Sequence, residues 1–314
     1  MTKVLVTGGA GFIGSNLIEQ LIKNVEQVIV VDDLSMGLKD NLPKSDKVTF
    51  YQESITNYEF IEKLLVNEKP DYIYLLAAIA SVADSVARPI ETHEINENAN
   101  LFILETIRKN SLPVKKLLFA SSAAVYGDDP QLPKKENSQI KPLTPYAIDK
   151  FATERFVIDY GKLYGLSTVC VRFFNVYGPK QNPKSPYSGV LSIISDAIMQ
   201  NKTFTLFGDG SQTRDFVFVG DVIQALLLLM RTPEAKHDVY NVATGRITSL
   251  KDVIHAYENI AGKKLAINYK DSRSGDIKDS KADINKLSSL GYKPRFDIQS
   301  GLKVYWESLS ETLQ

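Results

Sequence analysis

The chain has 314 residues, and its 37 Lys+Arg balance 37 Asp+Glu, so a nucleic acid, which calls for a basic excess, is not the expected partner. Hydrophobic residues at 44% and charged residues at 24% are the balance of a folded globular chain, long enough for one large domain or two modest ones. The single Cys170 rules out an internal disulfide and a thiolate zinc site, and the three scattered histidines (His93, His237, His255) predict no metal-ligand cluster.

The start, MTKVLVTGG, has no long apolar stretch before a small-residue cleavage site, and ALLLLM (225–230) is too short to span a bilayer. A cytoplasmic protein with no membrane partner is therefore expected. Lys3 to Thr7 (KVLVT) reads as a buried strand. Phe12 to Lys23 reads as a helix, with Ile13, Leu17 and Leu21 four apart. Gln27 to Val31 is a second strand, closed by Asp32 and Asp33, and Val48 to Tyr51 a third. Tyr58 to Val66 reads as a helix, Asp71 to Leu76 as a strand, 93–109 as a long helix and Lys116 to Ala120 as a strand. After a proline-rich loop (128–145), a helix over 147–163 and a strand over Ser167 to Phe173 complete the series. This βαβ rhythm with apolar strands predicts a parallel sheet covered by helices on both faces. The texture then changes. VYGPKQNPKSPYSGV (176–190) must be largely loop, and helices near 190–200, 219–231 and 249–260 mix with short strands. The expected division is 1–174 and 175–314, with some segments of the second part returning to the first.

TGGAGFIGS (7–15) sets Gly8, Gly11 and Gly14 three apart, after a strand and at a helix start. Gly8 allows a tight turn, Gly11 a close approach of a pyrophosphate to the positive helix end, and Gly14 close helix–strand packing. Asp32 or Asp33, at the end of the second strand, can accept bonds from an adenosine ribose and would repel a 2′-phosphate, which favours NAD over NADP. Asp32 is the preferred candidate. Ser35 and Gly37, in the next loop, are candidates for contact with the adenosine.

ASSAAVYG (120–127) follows the fifth strand, where ligand crevices of parallel sheets lie. Tyr146 and Lys150 are four apart and share a helix face. An ammonium and a positive nicotinamide nearby are expected to lower the tyrosine pKa, so that Tyr146 removes a hydroxyl proton as hydride leaves the same carbon. Ser122 would bond the substrate oxygen, and Lys150 would hold the nicotinamide ribose.

TGGAGFIGS, SSAAVYG and YAIDK, in that order, resemble the extended short-chain dehydrogenase/reductase superfamily. DDLSMG (32–37), ASVADSVARP (80–89), RFFNVYGPKQNPKSPYSGV (172–190), FGDGSQTRDFVFVGDV (207–222) and RSGDIKDS (273–280) extend the likeness over nearly the whole chain. Within that superfamily the chain is similar to the UDP-sugar 4-epimerases of the UDP-glucose and UDP-N-acetylglucosamine group. The resemblance implies a Rossmann-like doubly wound sheet with a smaller C-terminal α/β substrate lobe, bound NAD, a UDP-sugar substrate and a homodimer formed through the helices near 93–109 and 147–163. It places Ser122, Tyr146 and Lys150 on the catalytic set. Phe12, Ile13, Ala77, Ala78 and Asn96 fall on the cofactor side. Ser81, Asn175, Arg214, Arg273 and Asp276 fall on the substrate, with the arginines on the diphosphate, and Val190 and Phe207 flank the uracil.

Five positions in three places depart from the family pattern. Glu53 and Ser54 stand where many relatives carry Gly-Asp, Asp149 stands where a small residue precedes the lysine, and Leu75 and Leu76 replace a common histidine. An Asp149 facing solvent would have little effect.

Relatives share oxidation at sugar C4 and diverge afterwards. Ala123 and Ala124 supply neither the acid–base pair of a dehydratase nor the glutamate of a decarboxylase, which fits an enzyme that only oxidises and re-reduces C4. Ser280 falls on the position that gates the wall near the C2 substituent, and a small residue there admits an N-acetyl group. A nucleotide-sugar oxidoreductase and a non-enzymatic NAD-binding scaffold remain as alternatives.

Overall fold

The computed structural model describes residues 2–182, 189–271 and 278–312. β1 (Lys3–Thr7), α1 (Phe12–Leu21), β2 (Gln27–Val31), β3 (Val48–Tyr51), α2 (Tyr58–Glu68) and β4 (Tyr72–Leu75) follow the expected alternation. α1 ends two residues early. The N–H groups of Lys23 and Asn24 turn back to carbonyls three residues before them, the tightened last turn usual at helix ends.

The helix expected over 93–109 is present, but its first part is a π-helical stretch (Glu94–Asn98) that leads into α5 (Ala99–Lys109). Two short helices the sequence did not announce, α3 (Val82–Ala87) and α4 (Pro89–His93), precede it. The Asn96 carbonyl accepts from Asn100 Nδ2 at 3.0 Å and from Thr153 Oγ1 at 2.9 Å. Side chains inserted into the ladder widen the turn, which a periodicity of apolar residues does not reveal.

β5 (Lys116–Ser122) leads through a 3-10 turn (Ala123–Tyr126) to α6 (Pro145–Tyr164) and β6 (Thr168–Phe173). α6 carries its own start and stop signals. Thr144 Oγ1 accepts from Ala147 N, Pro145 occupies the first turn, and Gly165 closes the helix at φ +75°.

The main sheet has the order β11-β6-β5-β4-β1-β2-β3, where β11 is Asp238–Val242. The pairings from β3 through β6 are parallel. Strand order reverses at β1 and β4, the place where doubly wound sheets bind ligands. Thr7 is level with both Val31 and Leu75, so the loops leaving β1, β2 and β4 start at one height. Leu5, Ile29, Ile73 and Phe119 of the sheet pack with Ile61 and Leu65 of α2, Ile103 of α5 and Val157 of α6. Cys170 lies in this core, and burial pushes its thiol well up.

The chain divides into two compact units. The first comprises Met1–Asp129, Gln139–Phe173 and Ala225–Tyr240. The second comprises Pro130–Ser138, Phe174–Gln224 and Asn241–Gln314. Its elements include β7 (Asn175–Tyr177), α7 (Val190–Met199), β8 (Phe204–Phe207), β9 (Thr213–Arg214), β10 (Phe216–Phe218), β12 (Thr248–Ser249), α9 (Leu250–Ala261), β13 (Ile267–Lys270), α10 (Asn285–Ser288) and α11 (Ile298–Thr312). Here β10 pairs with β7, β12 with β9, and β13 with β8. α8 (Val219–Arg231) runs from residues of the second unit into the first along the chain. Among the described residues, no helix is long and apolar enough to cross a membrane.

Candidate active site

The turn between β1 and α1 is built around glycines. Gly8 has φ +70°, and a Cβ there would lie 2.7 Å from the Ala77 nitrogen. A Cβ on Gly14 would lie 2.3 Å from the Gly8 carbonyl oxygen. Both positions are closed to side chains by the protein itself. Gly11 differs, since a Cβ there meets only the Gly8 oxygen, at 3.2 Å. It is the N-cap of α1 and provides no side-chain cap, and Phe12 and Ile13 follow it partly exposed. A bare, uncapped helix start fits a pyrophosphate. Gly37 is buried against Ala10, bringing the next loop onto the glycine turn.

The two aspartates are placed differently. Asp32 is buried and its carboxylate accepts from Ala10 N and Leu34 N, each at 2.9 Å. Burial pushes its pKa up, and those N–H groups oppose the shift. Asp33 is exposed and bonds Ser35, so Ser35 is engaged by its neighbour. Glu53 folds back onto Ser54 N at 3.0 Å. Across the switch point, Thr7 Oγ1 accepts from the N–H groups of Leu76 and Ala77, and Ala78 follows partly buried.

Ser122, Tyr146 and Lys150 come together at the carboxyl end of β5. The Ser122 hydroxyl caps the 3-10 turn, accepting from Ala124 N at 3.2 Å, and lies near enough to the Tyr146 phenol to favour its ionised form. Lys150 is buried. Its Nζ donates to the Ala120 carbonyl at 2.9 Å, 4.9 Å from the Phe119 ring centroid and 5.9 Å from that of Tyr146. The expected lowering of the Tyr146 pKa is absent in the protein alone. Burial pushes Tyr146 up, with the Ser122 hydroxyl opposing, and pushes Lys150 down to about 8. Desolvation of each charged form outweighs their mutual attraction at this separation.

Asn96 is fully buried. Its amide spans the backbone of Ile79, accepting from the N–H at 2.9 Å and donating to the carbonyl at 3.0 Å. It thus positions the loop after β4. Ser81 is buried, and its hydroxyl caps α3 by accepting from Asp84 N at 3.0 Å.

Asp149 does not face solvent. It is buried on α6 against His93, with Oδ1 2.9 Å from Nδ1, and Glu97 Oε2 lies 3.1 Å from the same nitrogen. The expectation that no histidine joins a ligand-type cluster is therefore corrected at His93. These residues are distant in sequence, and only helix packing unites them.

The sequence reading missed Glu154 and assigned Arg172 no task. Arg172 is buried, forms a two-pronged pair with Glu154 at 2.9 and 2.6 Å, and donates to the Tyr126 hydroxyl at 2.8 Å. Burial disfavours its charge, yet Glu154 pushes its pKa upward on balance. This bridge ties β6 and α6 to the turn that follows Ser122. A charged pair inside an apolar helix–strand pattern was the available signal.

In the second unit, Asn175 is exposed at the start of β7, and its N–H bonds the Asp215 carbonyl. Arg214 Nη1 donates to the carbonyls of Thr213 at 2.8 Å and Lys278 at 3.1 Å. Ser280 N donates to Thr213 O at 3.2 Å, so Ser280 lies beside the strand that carries Arg214. Val190 opens α7 and Phe207 closes β8, both partly exposed. Arg273 and Asp276 lie outside the described residues. Asp215, beside Arg214, was not singled out from sequence. Its buried carboxylate accepts from Thr244 N, Thr244 Oγ1, Gly245 N and Ala282 N, fixing the loops around β9.

The strand order, the glycine turn and the Ser122, Tyr146 and Lys150 group at one sheet end define an extended short-chain dehydrogenase/reductase fold. The chain belongs to the NAD dependent epimerase/dehydratase family, whose model matches residues 4–243. Over 100% of both chains it is 37% identical to a UDP-glucose 4-epimerase of Thermotoga maritima solved with UDP-glucose (TM-score 0.94). It is 35% identical to a UDP-N-acetylglucosamine 4-epimerase of Methanobrevibacter ruminantium in complex with UDP-N-acetylmuramic acid, over 99% of each chain (TM-score 0.92). It is 34% identical to a UDP-glucose 4-epimerase of Thermus thermophilus in complex with NAD, over 98% of this chain and 99% of that one (TM-score 0.90).

Proposed function

We propose that this protein is a UDP-sugar 4-epimerase that interconverts UDP-N-acetylglucosamine and UDP-N-acetylgalactosamine, and also UDP-glucose and UDP-galactose, with NAD retained through the cycle. The observation that carries this reading is the convergence of Ser122, Tyr146 and Lys150 at the end of β5, beside a turn whose next residues, Ala123 and Ala124, hold no second acid or base. Such a site moves one proton at one oxygen and then returns it. NAD, when bound, supplies the hydride acceptor and donor at sugar C4. Phe12 and Ile13 N–H would hold its pyrophosphate, Asp32 its adenosine ribose and Lys150 its nicotinamide ribose. In its phenolate form, which the Lys150 ammonium and the positive nicotinamide would favour against burial, Tyr146 takes the C4 hydroxyl proton and as phenol gives it back, and Ser122 holds the C4 oxygen in place. Asn175 and Arg214 would grip the diphosphate, with Arg273 and Asp276 as further sequence candidates. Anchoring far from C4 lets the 4-keto sugar turn over before it is reduced.

The test is incubation with UDP-N-acetylglucosamine, and separately with UDP-glucose, with no added cofactor, reading products by NMR. C4 epimers without net change in absorbance at 340 nm support the reading. Stoichiometric formation of reduced cofactor would instead favour an oxidoreductase. Ser280 supports the N-acetyl substrate. Ser280→Tyr should depress turnover of UDP-N-acetylglucosamine by about 10-fold or more relative to UDP-glucose, and an equal fall for both removes the gate assignment.

A homodimer through α5 and α6 is part of this proposal. Ile148, Phe156 and Leu163 are exposed along α6, and an apolar stripe of this kind suits a helix-packing interface. Light scattering should return twice the chain mass.

A further inference from the structure

The cluster at His93, Glu97 and Asp149 plays no part in the proposed epimerase chemistry. His93 is the last residue of α4, and Glu97 lies one turn on in the π-helical stretch. Asp149 faces them from α6. One ligand atom from each residue lies within 4.8 Å of the other two. His93 Nδ1 is 2.9 Å from Asp149 Oδ1 and 3.1 Å from Glu97 Oε2. Adjacent ligands of a six-coordinate ion with bonds of about 2.1 Å sit about 3.0 Å apart, against about 3.3 Å around a tetrahedral one, so these edges suit neighbouring positions on a six-coordinate ion completed by water.

A second observation concerns the other carboxylate oxygen of Asp149. The Asp149 side chain is 5% exposed, and its Oδ2 is buried with no hydrogen-bond partner. Two mostly buried carboxylates beside each other repel, and a cation between them, a protonated His93 or a metal ion bound with it, compensates that burial. Glu97 is 15% exposed, whereas His93 is 47% exposed, which leaves an approach from solvent. The frame is rigid. Thr153 Oγ1 donates to the carbonyls of Asn96 and Asp149, at 2.9 and 2.8 Å, pinning α6 to the π-helical stretch.

We propose that His93, Glu97 and Asp149 form a site for one divalent transition-metal ion, of the zinc or cobalt type, that cross-links the π-helical stretch to α6. One imidazole nitrogen with two carboxylates selects such ions over magnesium, which prefers oxygen ligands and its own water shell. With Nδ1 on the ion, the Nε2 proton points to the exposed side of the ring. The remaining coordination positions belong to water. The bound ion would stiffen the segment that carries Asn96, and through it the Ile79 loop.

The full chain, stripped with a chelator and desalted, is titrated with Zn2+ by calorimetry and with Co2+ by visible absorption. The expected result is one saturable site per chain, visible d–d bands with Co2+, a rise in thermal midpoint with Zn2+, and no response to Mg2+. His93→Ala and Glu97→Gln should each weaken binding by more than about 10-fold, at least the effect of losing an outer-shell partner. Asp149→Asn should do the same, and the other two variants carry the test if it fails to fold. His255→Ala, outside the cluster, should leave the stoichiometry and affinity unchanged. Absence of saturable binding, or binding indifferent to His93→Ala, overturns the proposal and assigns the cluster to a protonated histidine held between two carboxylates.

Discussion

The two compact units use their polar side chains in opposite ways. In the first unit, Asn96, Lys150, Glu154 and Arg172 are buried, and each is bonded to backbone or to another side chain. In the second, Asn175 is exposed and Arg214 and Ser280 are partly exposed, while the buried Asp215 and Asp221 are spent on backbone N–H groups of nearby loops. In the proposed function the first unit therefore supplies a preformed set for proton movement, and the second supplies loops that present groups outward. Preorganisation belongs where charge changes during the reaction, and adaptable contacts suffice where a ligand is only held.

Replacements in each unit should separate these roles. Tyr146→Phe should lower kcat by about 100- to 10,000-fold, the usual worth of a positioned acid–base group, with the thermal midpoint little changed. Retained epimerisation, read by NMR, would remove Tyr146 from the chemistry. Arg172→Met should cost about 3–5 kcal/mol in urea denaturation, because Glu154 is left charged and buried. Arg172→Met combined with Glu154→Leu should recover most of that loss, and failure to recover would mean that the Tyr126 contact dominates. Arg214→Ala should forfeit about 1.5–3 kcal/mol of charge-assisted bonding, raising KM more than it lowers kcat. A fall confined to kcat would place Arg214 with the first unit's chemistry instead.

The smallest effect concerns pH. Lys116 is buried in the first unit, donating to the carbonyls of Leu229 and Thr232, and burial pushes its pKa down to about 8. The unfolded chain holds that proton up to about pH 10.4. Between these values the unfolded state binds more protons, so stability rises with pH. Between pH 8 and 9 this group should add about 1 kcal/mol to the unfolding free energy. Lys150, pushed equally low, contributes a like rise, so Lys116→Met should remove about half of the slope, and an unchanged slope would assign the whole rise to Lys150.

Some of this was legible in the residues themselves. The strand, glycine turn and helix from Lys3 to Leu21 follow from local periodicity and from glycines that only close packing requires. Tyr146 and Lys150 share a face because four residues make about one helical turn. Thr144, Pro145 and Gly165 mark the ends of their helix by local chemistry. Other features waited for the tertiary structure. Asp32 was separated from Asp33 only by its bond to Ala10 N. The π-helical turn at Asn96 depends on Thr153, 57 residues away. Asp149 turned inward because His93, 56 residues earlier, meets it there. The proton state of Tyr146 depends on how much water its surroundings exclude. Local pattern determines which residues form an element and share its face. Burial and long-range hydrogen bonding decide which polar groups are left to act, since both are properties of packed neighbours that the chain brings together only on folding.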